Sequence, residues 1–208
     1  MSLTSNIRSN IYGLIVCGGN STRMGKDKSL LTYHGKQQRY HMYDILQSLC
    51  EKTFLSCNRL QQDSVNHEYQ TLVDLKRYES IGPMAALLTA FERFPERDFL
   101  VAGCDYPFLT TRDLIDFFRV FKKKDVAAAF YNPDEELYEP LLAWYSHQSA
   151  YGLKEMFKQK QYSLQYFLRS VNAKRYFPEN TIAITSVDTP ESMMAAKAKL
   201  GKMELLKT

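Results

Sequence analysis

The chain predicts an α/β fold with a mostly parallel sheet covered by helices on both faces. Three observations lead there. Short runs rich in β-branched and large apolar residues alternate with stretches of helical spacing. Those runs are apolar almost throughout, as strands buried on both sides must be. The 208 residues, 45% apolar and 24% charged, suit one substantial core rather than two or a disordered chain. A single domain over residues 1–208 is therefore expected, with residues 1–10 and 201–208 frayed.

Strands are expected at residues 11–17, 53–57, 69–73, 99–103 and 126–131, with helices around 39–51, 83–94 and 110–123 between them. Pro83 follows Gly82 where a first helical turn tolerates a missing N–H. Thr110 or Thr111 can cap the next helix, with Asp113 in its first turn. The second half is less regular: an antiparallel strand at 138–145, short helices near 148–158 and 163–170, a short strand near 174–177, and a last helix from Pro190 to Leu200. There is no internal repeat, low-complexity tract or linker. Parallel α/β sheets bind ligands beyond the carboxyl ends of their strands, where strand order reverses. Gly18-Gly19, Asp74 and Cys104-Asp105 each follow an expected strand, so the fold should bring them together.

Charge and cysteine usage narrow the function. A net charge of +4 is mild and suits an anionic small molecule at least as well as a nucleic acid. Lys122-Lys123-Lys124 reads as the solvated end of a helix, where cations complement the dipole. No nucleic-acid motif organises the 14 Tyr and 12 Phe. Cys17, Cys50, Cys57 and Cys104 show neither zinc spacing nor a disulfide pattern. No signal peptide and no membrane-spanning run is visible, so a cytoplasmic protein without nucleic-acid or membrane partners is expected.

The segment with the most chemistry is Leu14-Ile-Val-Cys-Gly18-Gly19-Asn-Ser-Thr-Arg23-Met-Gly25-Lys-Asp27-Lys28, a strand opening into a glycine-rich, basic loop. Its glycines let backbone N–H groups approach a ligand, and Arg23 and Lys28 supply cations, which together suit a nucleoside triphosphate. It is not a Walker loop, because five residues separate Gly19 from Gly25 and Asp27 follows Lys26 where Ser or Thr should stand. The Rossmann glycine pattern is missing too.

The segment resembles the L-x-G-G-x-S-x-R-M-G-x-D-K signature of nucleotidyltransferases, and the chain is similar to the molybdenum cofactor guanylyltransferases, or molybdopterin-guanine dinucleotide synthases. The blocks that carry the likeness continue through Gly35-Lys36, Cys57-Asn58-Arg59, Asp74, Gly82-Pro83-Met84-Ala85, Cys104-Asp105-Tyr106-Pro107, Glu139-Pro140-Leu141 and Asp188-Thr189-Pro190-Glu191. The resemblance implies a Rossmann-like three-layer sandwich of the nucleotide-diphospho-sugar transferase type. It also implies transfer of GMP from GTP to molybdenum-bearing molybdopterin, with release of pyrophosphate and with Mg²⁺ as cofactor. Partners would be GTP, molybdopterin, and proteins that deliver or receive the molybdenum cofactor.

Residue by residue, the likeness places Lys28, Arg23 and Asp105 in catalysis, the cations acting on charge that develops as pyrophosphate leaves. Nucleotide contacts fall to Val16, Cys17, Gly18, Gly19, Lys28, Ser56, Asn58, Asp74, Gly82, Pro83 and Asp105. Asp105, at the end of an apolar strand, is the expected Mg²⁺ ligand. Asp74 can accept from a base or from a ribose hydroxyl.

Three departures stand out. The family's Asn-x-Asn appears as Ser56-Cys57-Asn58, so Ser56 replaces the first amide. Ser186-Val187-Asp188 stands where the family carries Asn-x-Asn, which makes Asp188 a candidate second metal carboxylate and resembles the cytidylyltransferases. Ala86 replaces a glycine. Glu139-Pro140-Leu141 resembles a block on the acceptor side, and Lys158, Lys160, Arg169, Lys174 and Arg175 could reach an acceptor phosphate. Two other readings stay open: a transferase of the same fold using CTP or another phosphorylated acceptor such as a sugar phosphate, and a nucleotide-binding protein without turnover that assists cofactor insertion.

Overall fold

A computed structural model describes residues 10–17 and 28–205. Seven strands, β1 (Ile11–Val16), β2 (Lys52–Cys57), β3 (Thr71–Val73), β4 (Asp98–Gly103), β5 (Ala127–Asn132), β6 (Leu137–Tyr145) and β7 (Lys174–Tyr176), form one sheet. Their order is β3-β2-β1-β4-β6-β5-β7. β1 runs parallel to β2 and β4, β2 to β3, and β5 to β7, while β6 is antiparallel to both β4 and β5. The turn between β5 and β6 is too short for a crossover helix, so it can only join antiparallel strands. Strand order reverses between β1 and β4, and the carboxyl ends of those two strands flank the switch point.

The helices are α1 (Gln38–Gln47), α2 (Arg59–Gln62), α3 (Met84–Arg93), α4 (Thr111–Phe117), α5 (Ser149–Lys158), α6 (Leu164–Ser170) and α7 (Pro190–Leu205). Alternation along β1 sends Leu14 and Val16 to one face and Ile15 to the other. The first face is covered by α3, α5 and α6 through residues such as Leu87, Phe91, Leu153 and Phe167. The second is covered by α1 and α4 through Met42, Leu46, Leu114 and Phe117. A smaller cluster of Phe108, Val187, Ala196 and Leu200 docks α7 beside the turn that follows β4. Each large apolar side chain withdrawn from water contributes about 1.5–3 kcal/mol. An exposed ion pair such as Arg112–Asp116 contributes about 0–1 kcal/mol, so packing holds the fold.

Expected and observed elements differ at four places. Thr110 does cap α4, accepting from Asp113 N while the Asp113 carboxylate accepts from Thr110 N, but the helix stops at Phe117 rather than near residue 123. Beyond the helix, Phe121 stacks on Trp144 at 4.3 Å. Lys122-Lys123-Lys124 therefore lies in a turn beyond the helix, closed by Lys122 N donating to Asp125 Oδ2. β3 starts at Thr71, not at residue 69, because Tyr69 is used instead as a plug stacked on Tyr40 at 4.1 Å. α1 ends at Gln47, before the expected residue 51, and α7 runs past Leu200 to Leu205. Among the described residues no helix is long and apolar enough to cross a membrane.

Candidate active site

The carboxyl ends of β1 and β4 bring Cys17 and Cys104 together, their sulfurs 3.6 Å apart, and the chain enters the Asp105 turn from there. The Asp105 carbonyl accepts from Val187 N at 2.8 Å, which ties this turn to the segment leading into α7. The side chain is only partly covered, yet its Oδ1 is sealed from solvent and has no hydrogen-bond partner among the described residues. Burial, with Asp188 adding to it and Lys28 opposing it, raises the Asp105 pKa from 3.8 to about 6. A buried lone pair left unsatisfied costs free energy unless something binds it. Room for this carboxylate exists because residue 103 is glycine: a Cβ there would lie 2.5 Å from Asp105 Oδ1.

Lys28 opens a short 3₁₀ turn, Lys28–Leu30, and its ammonium pairs with the Asp188 carboxylate. Asp188 is held in place by the start of α7, where its N–H and that of Thr189 both donate to Ser192 Oγ while Ser192 N donates back to Thr189 Oγ1. One cation and two carboxylates thus converge on the switch point. Tyr106, next to Asp105, donates from its hydroxyl to Glu139 Oε2 at 2.7 Å, linking the turn to β6. Burial raises the pKa of both, and the neighbouring Asp105 adds to the effect.

On the far side of β1, Ser56 Oγ donates to Asp74 Oδ1 at 3.2 Å, so these two expected nucleotide contacts meet at the ends of β2 and β3. Burial raises the Asp74 pKa to about 6, with the Ser56 hydrogen bond opposing it. Cys17 N donates to the Ser56 carbonyl at 3.2 Å, which places Val16 and Cys17 beside them. Asn58 is used locally: its side chain accepts from Gln61 N at 2.9 Å and caps α2. Gly82 adopts φ of +70°, a conformation that favours glycine, and turns the chain into Pro83 at the N-cap of α3. Ala86 is buried in α3. Gly18, Gly19 and Arg23 lie outside the described residues.

Several neighbours of the site carry no motif. Tyr33 has a sealed hydroxyl with no hydrogen-bond partner among the described residues, and burial together with Asp105 raises its pKa to about 12. His34 Nε2 lies 2.7 Å from the Pro107 carbonyl and its ring stacks on His41 at 3.9 Å. Gly103 had one legible signal, a small residue closing an apolar strand directly before a Cys-Asp pair; Tyr33 and the histidines had none.

An acidic, partly dehydrated carboxylate with an open lone pair suits a hard cation, and the Lys28 ammonium beside it suits phosphate oxygens. Among the described residues no three His, Cys, Asp or Glu side chains cluster as a complete metal cage. Mg²⁺ commonly binds through one or two carboxylates and takes its other ligands from phosphates and water.

Residues 13–176 match the family described as MobA-like NTP transferase domain. The chain is 31% identical over 185 residues to a molybdenum cofactor biosynthesis bifunctional protein of Synechocystis, covering 87% of this chain but 52% of that relative, so it spans about half of that protein's length. A molybdenum cofactor guanylyltransferase of Yersinia pseudotuberculosis is 27% identical over 183 residues, 87% of this chain and 92% of the relative. In fold, the chain is similar to molybdopterin-guanine dinucleotide biosynthesis protein A from Archaeoglobus fulgidus, with a TM-score of 0.75 at 22% identity over 92% of this chain and all of that one. The Rossmann-like sheet, the switch-point carboxylate and the match over most of the chain lead to one conclusion: this protein belongs to the MobA-like NTP transferase family.

Proposed function

We propose that this protein transfers GMP from GTP to the terminal phosphate of molybdopterin carrying molybdenum, releasing pyrophosphate. The observation that carries the reading is the meeting of Lys28, Asp188 and Asp105 at the β1–β4 switch point, in a chain whose relatives are named for this activity. An acceptor phosphate oxygen forms a bond to the α-phosphorus of GTP, and the bond from that phosphorus to the bridging oxygen breaks.

Asp105, with Asp188 as a second carboxylate, would hold Mg²⁺, which when bound supplies positive charge to the triphosphate oxygens. Lys28 exchanges its Asp188 partner for the triphosphate and stabilises the departing pyrophosphate. Arg23 adds a second cation. Asp74, oriented by Ser56, accepts from the guanosine, and Gly82-Pro83 shapes the turn beside it. A cytoplasmic setting goes with this reading.

Pyrophosphate release measured with each triphosphate, with and without molybdopterin, tests the reading. Release that needs both GTP and molybdopterin is expected. Faster release with CTP would move the protein to the cytidylyltransferases, and nucleotide binding without release would leave it a non-catalytic binder.

A further inference from the structure

A cavity of about 350 Å³ opens between the β5–β6 turn, the end of α6 and β7, lined by Tyr131, Glu136, Tyr138, Arg169, Asn172 and Arg175. That volume is at the small end of the range for small-molecule sites, about 300–1,000 Å³. Arg175 lies over the Tyr131 ring at 4.5 Å and within 5.8 Å of the Tyr138 ring, and its Nε donates to Tyr138 Oη. Arg169 donates to the Glu136 carbonyl at 3.3 Å. Among the described residues neither guanidinium is ion-paired with a carboxylate.

The cavity shares the carboxyl rim of the sheet with the candidate active site. Tyr131, near the end of β5, pairs with Tyr138, and the next residue, Glu139, receives the hydroxyl of Tyr106. The two sites are therefore joined across one step of β6, Tyr138 belonging to the α3–α6 face and Tyr106 to the opposite one.

A bare oxyanion would use the two guanidinium groups but gain nothing from Glu136 or the Asn172 amide. A 2-amino-4-oxo heterocycle uses all of them. Its amino group and ring N–H donate side by side to a carboxylate, and its carbonyl oxygen accepts from the guanidinium groups. Planar cations held against tyrosine rings also provide a flat stacking surface. Resting on the acceptor named in the preceding section, we infer that this cavity binds the pterin end of the acceptor, whose phosphate end reaches Asp105 over β6. Arg175 and Arg169 engage the carbonyl edge, and Glu136 the amino edge.

Fluorescence titration with free pterin, with lumazine, which has an oxo group in place of the 2-amino group, and with inorganic phosphate as competitor tests this directly. The wild-type protein should bind pterin in preference to lumazine, and phosphate should not displace it. Arg175→Ala should weaken pterin binding about tenfold, the scale of one charge-assisted hydrogen bond, and Glu136→Ala should abolish the preference over lumazine. Both residues are exposed, and circular dichroism with a retained GTP thermal shift checks that the variants fold; Arg169→Ala is the second variant if Arg175→Ala does not. In turnover, the same variants should raise KM for the acceptor about tenfold while kcat and KM for GTP hold. Unchanged pterin affinity in the variants, displacement by phosphate, or an unchanged acceptor KM would overturn the inference while leaving guanylyl transfer intact. Pterin binding in a protein that transfers no nucleotide would do the reverse.

Discussion

Gly103→Ala tests whether the space beside Asp105 matters. A methyl group at this position would sit 2.5 Å from Asp105 Oδ1, with Leu141 Cβ and Tyr106 Cε2 each 3.3 Å away on other sides. Ordinary contact begins at 3.4 Å, so the carboxylate must retreat by about 0.9 Å, and the two flanking side chains leave the methyl little room to move instead. Overpacking of this kind costs about 1–3 kcal/mol, which in a chain of this size lowers Tm by several degrees. Displacement of a reacting group by about 1 Å costs on the order of a hundredfold in rate. The expectation is a kcat/KM about a hundredfold lower in the pyrophosphate-release assay, with a modest loss of Tm by calorimetry. Gly201→Ala is the control, because nothing lies within 4 Å of its added methyl on α7; it should keep full activity and gain slightly in stability. If Gly103→Ala loses Tm but stays within about threefold of wild-type kcat/KM, the position of Asp105 does not limit the reaction and its assignment falls.

Three further outcomes are expected. Lys28→Ala should lower kcat about a hundredfold while raising KM for GTP less, and should cost no more than about 1 kcal/mol of stability because its ion pair is partly exposed; a change confined to KM would show that Lys28 binds substrate and transition state equally. Because burial holds the Asp74 pKa near 6, the folded state keeps a proton that the unfolded chain has already released between about pH 4 and 6, so this group's contribution to stability falls as pH rises through that window. Asp74→Asn should flatten that part of the denaturation-midpoint profile against pH, and a slope equal to wild type would refute the assignment. Thr110→Ala removes a reciprocal cap and should cost about 1 kcal/mol by urea denaturation without altering turnover; a variant as stable as wild type would mean that the cap adds nothing.

What could be read in advance followed the strength of local signals. β1 and β4 were legible because both faces of the sheet demand apolar residues, and α4 announced its start because Thr110 and Asp113 satisfy each other's backbone. Its end at Phe117 was not, since no glycine, proline or other local stop signal marks it. The same holds at the site. Ser56 lies at the carboxyl end of β2, Asp74 and Asp105 follow β3 and β4, and topology gathers the three at one rim. The partnership of Lys28 with Asp188 is a tertiary event without a local pattern, as is the selection of Arg169 and Arg175 from among the basic residues of the second half.

The Lys28–Asp188 pair also bears on the order in which the molecule assembles. It joins residues 160 apart in the chain. Closing a loop of that length in an otherwise unfolded chain costs about 4.5 kcal/mol in entropy. A partly exposed ion pair returns about 0–1 kcal/mol, so it cannot form until the sheet has already drawn the two segments together. Lys28 and Asp188 are therefore expected to pair only after β4 is fixed and Val187 has docked against the Asp105 turn. The region that matches the family ends at residue 176, yet Asp188 lies beyond it. A chain cut at that boundary would keep all seven strands and lose both the partner of Lys28 and the clasp on Asp105.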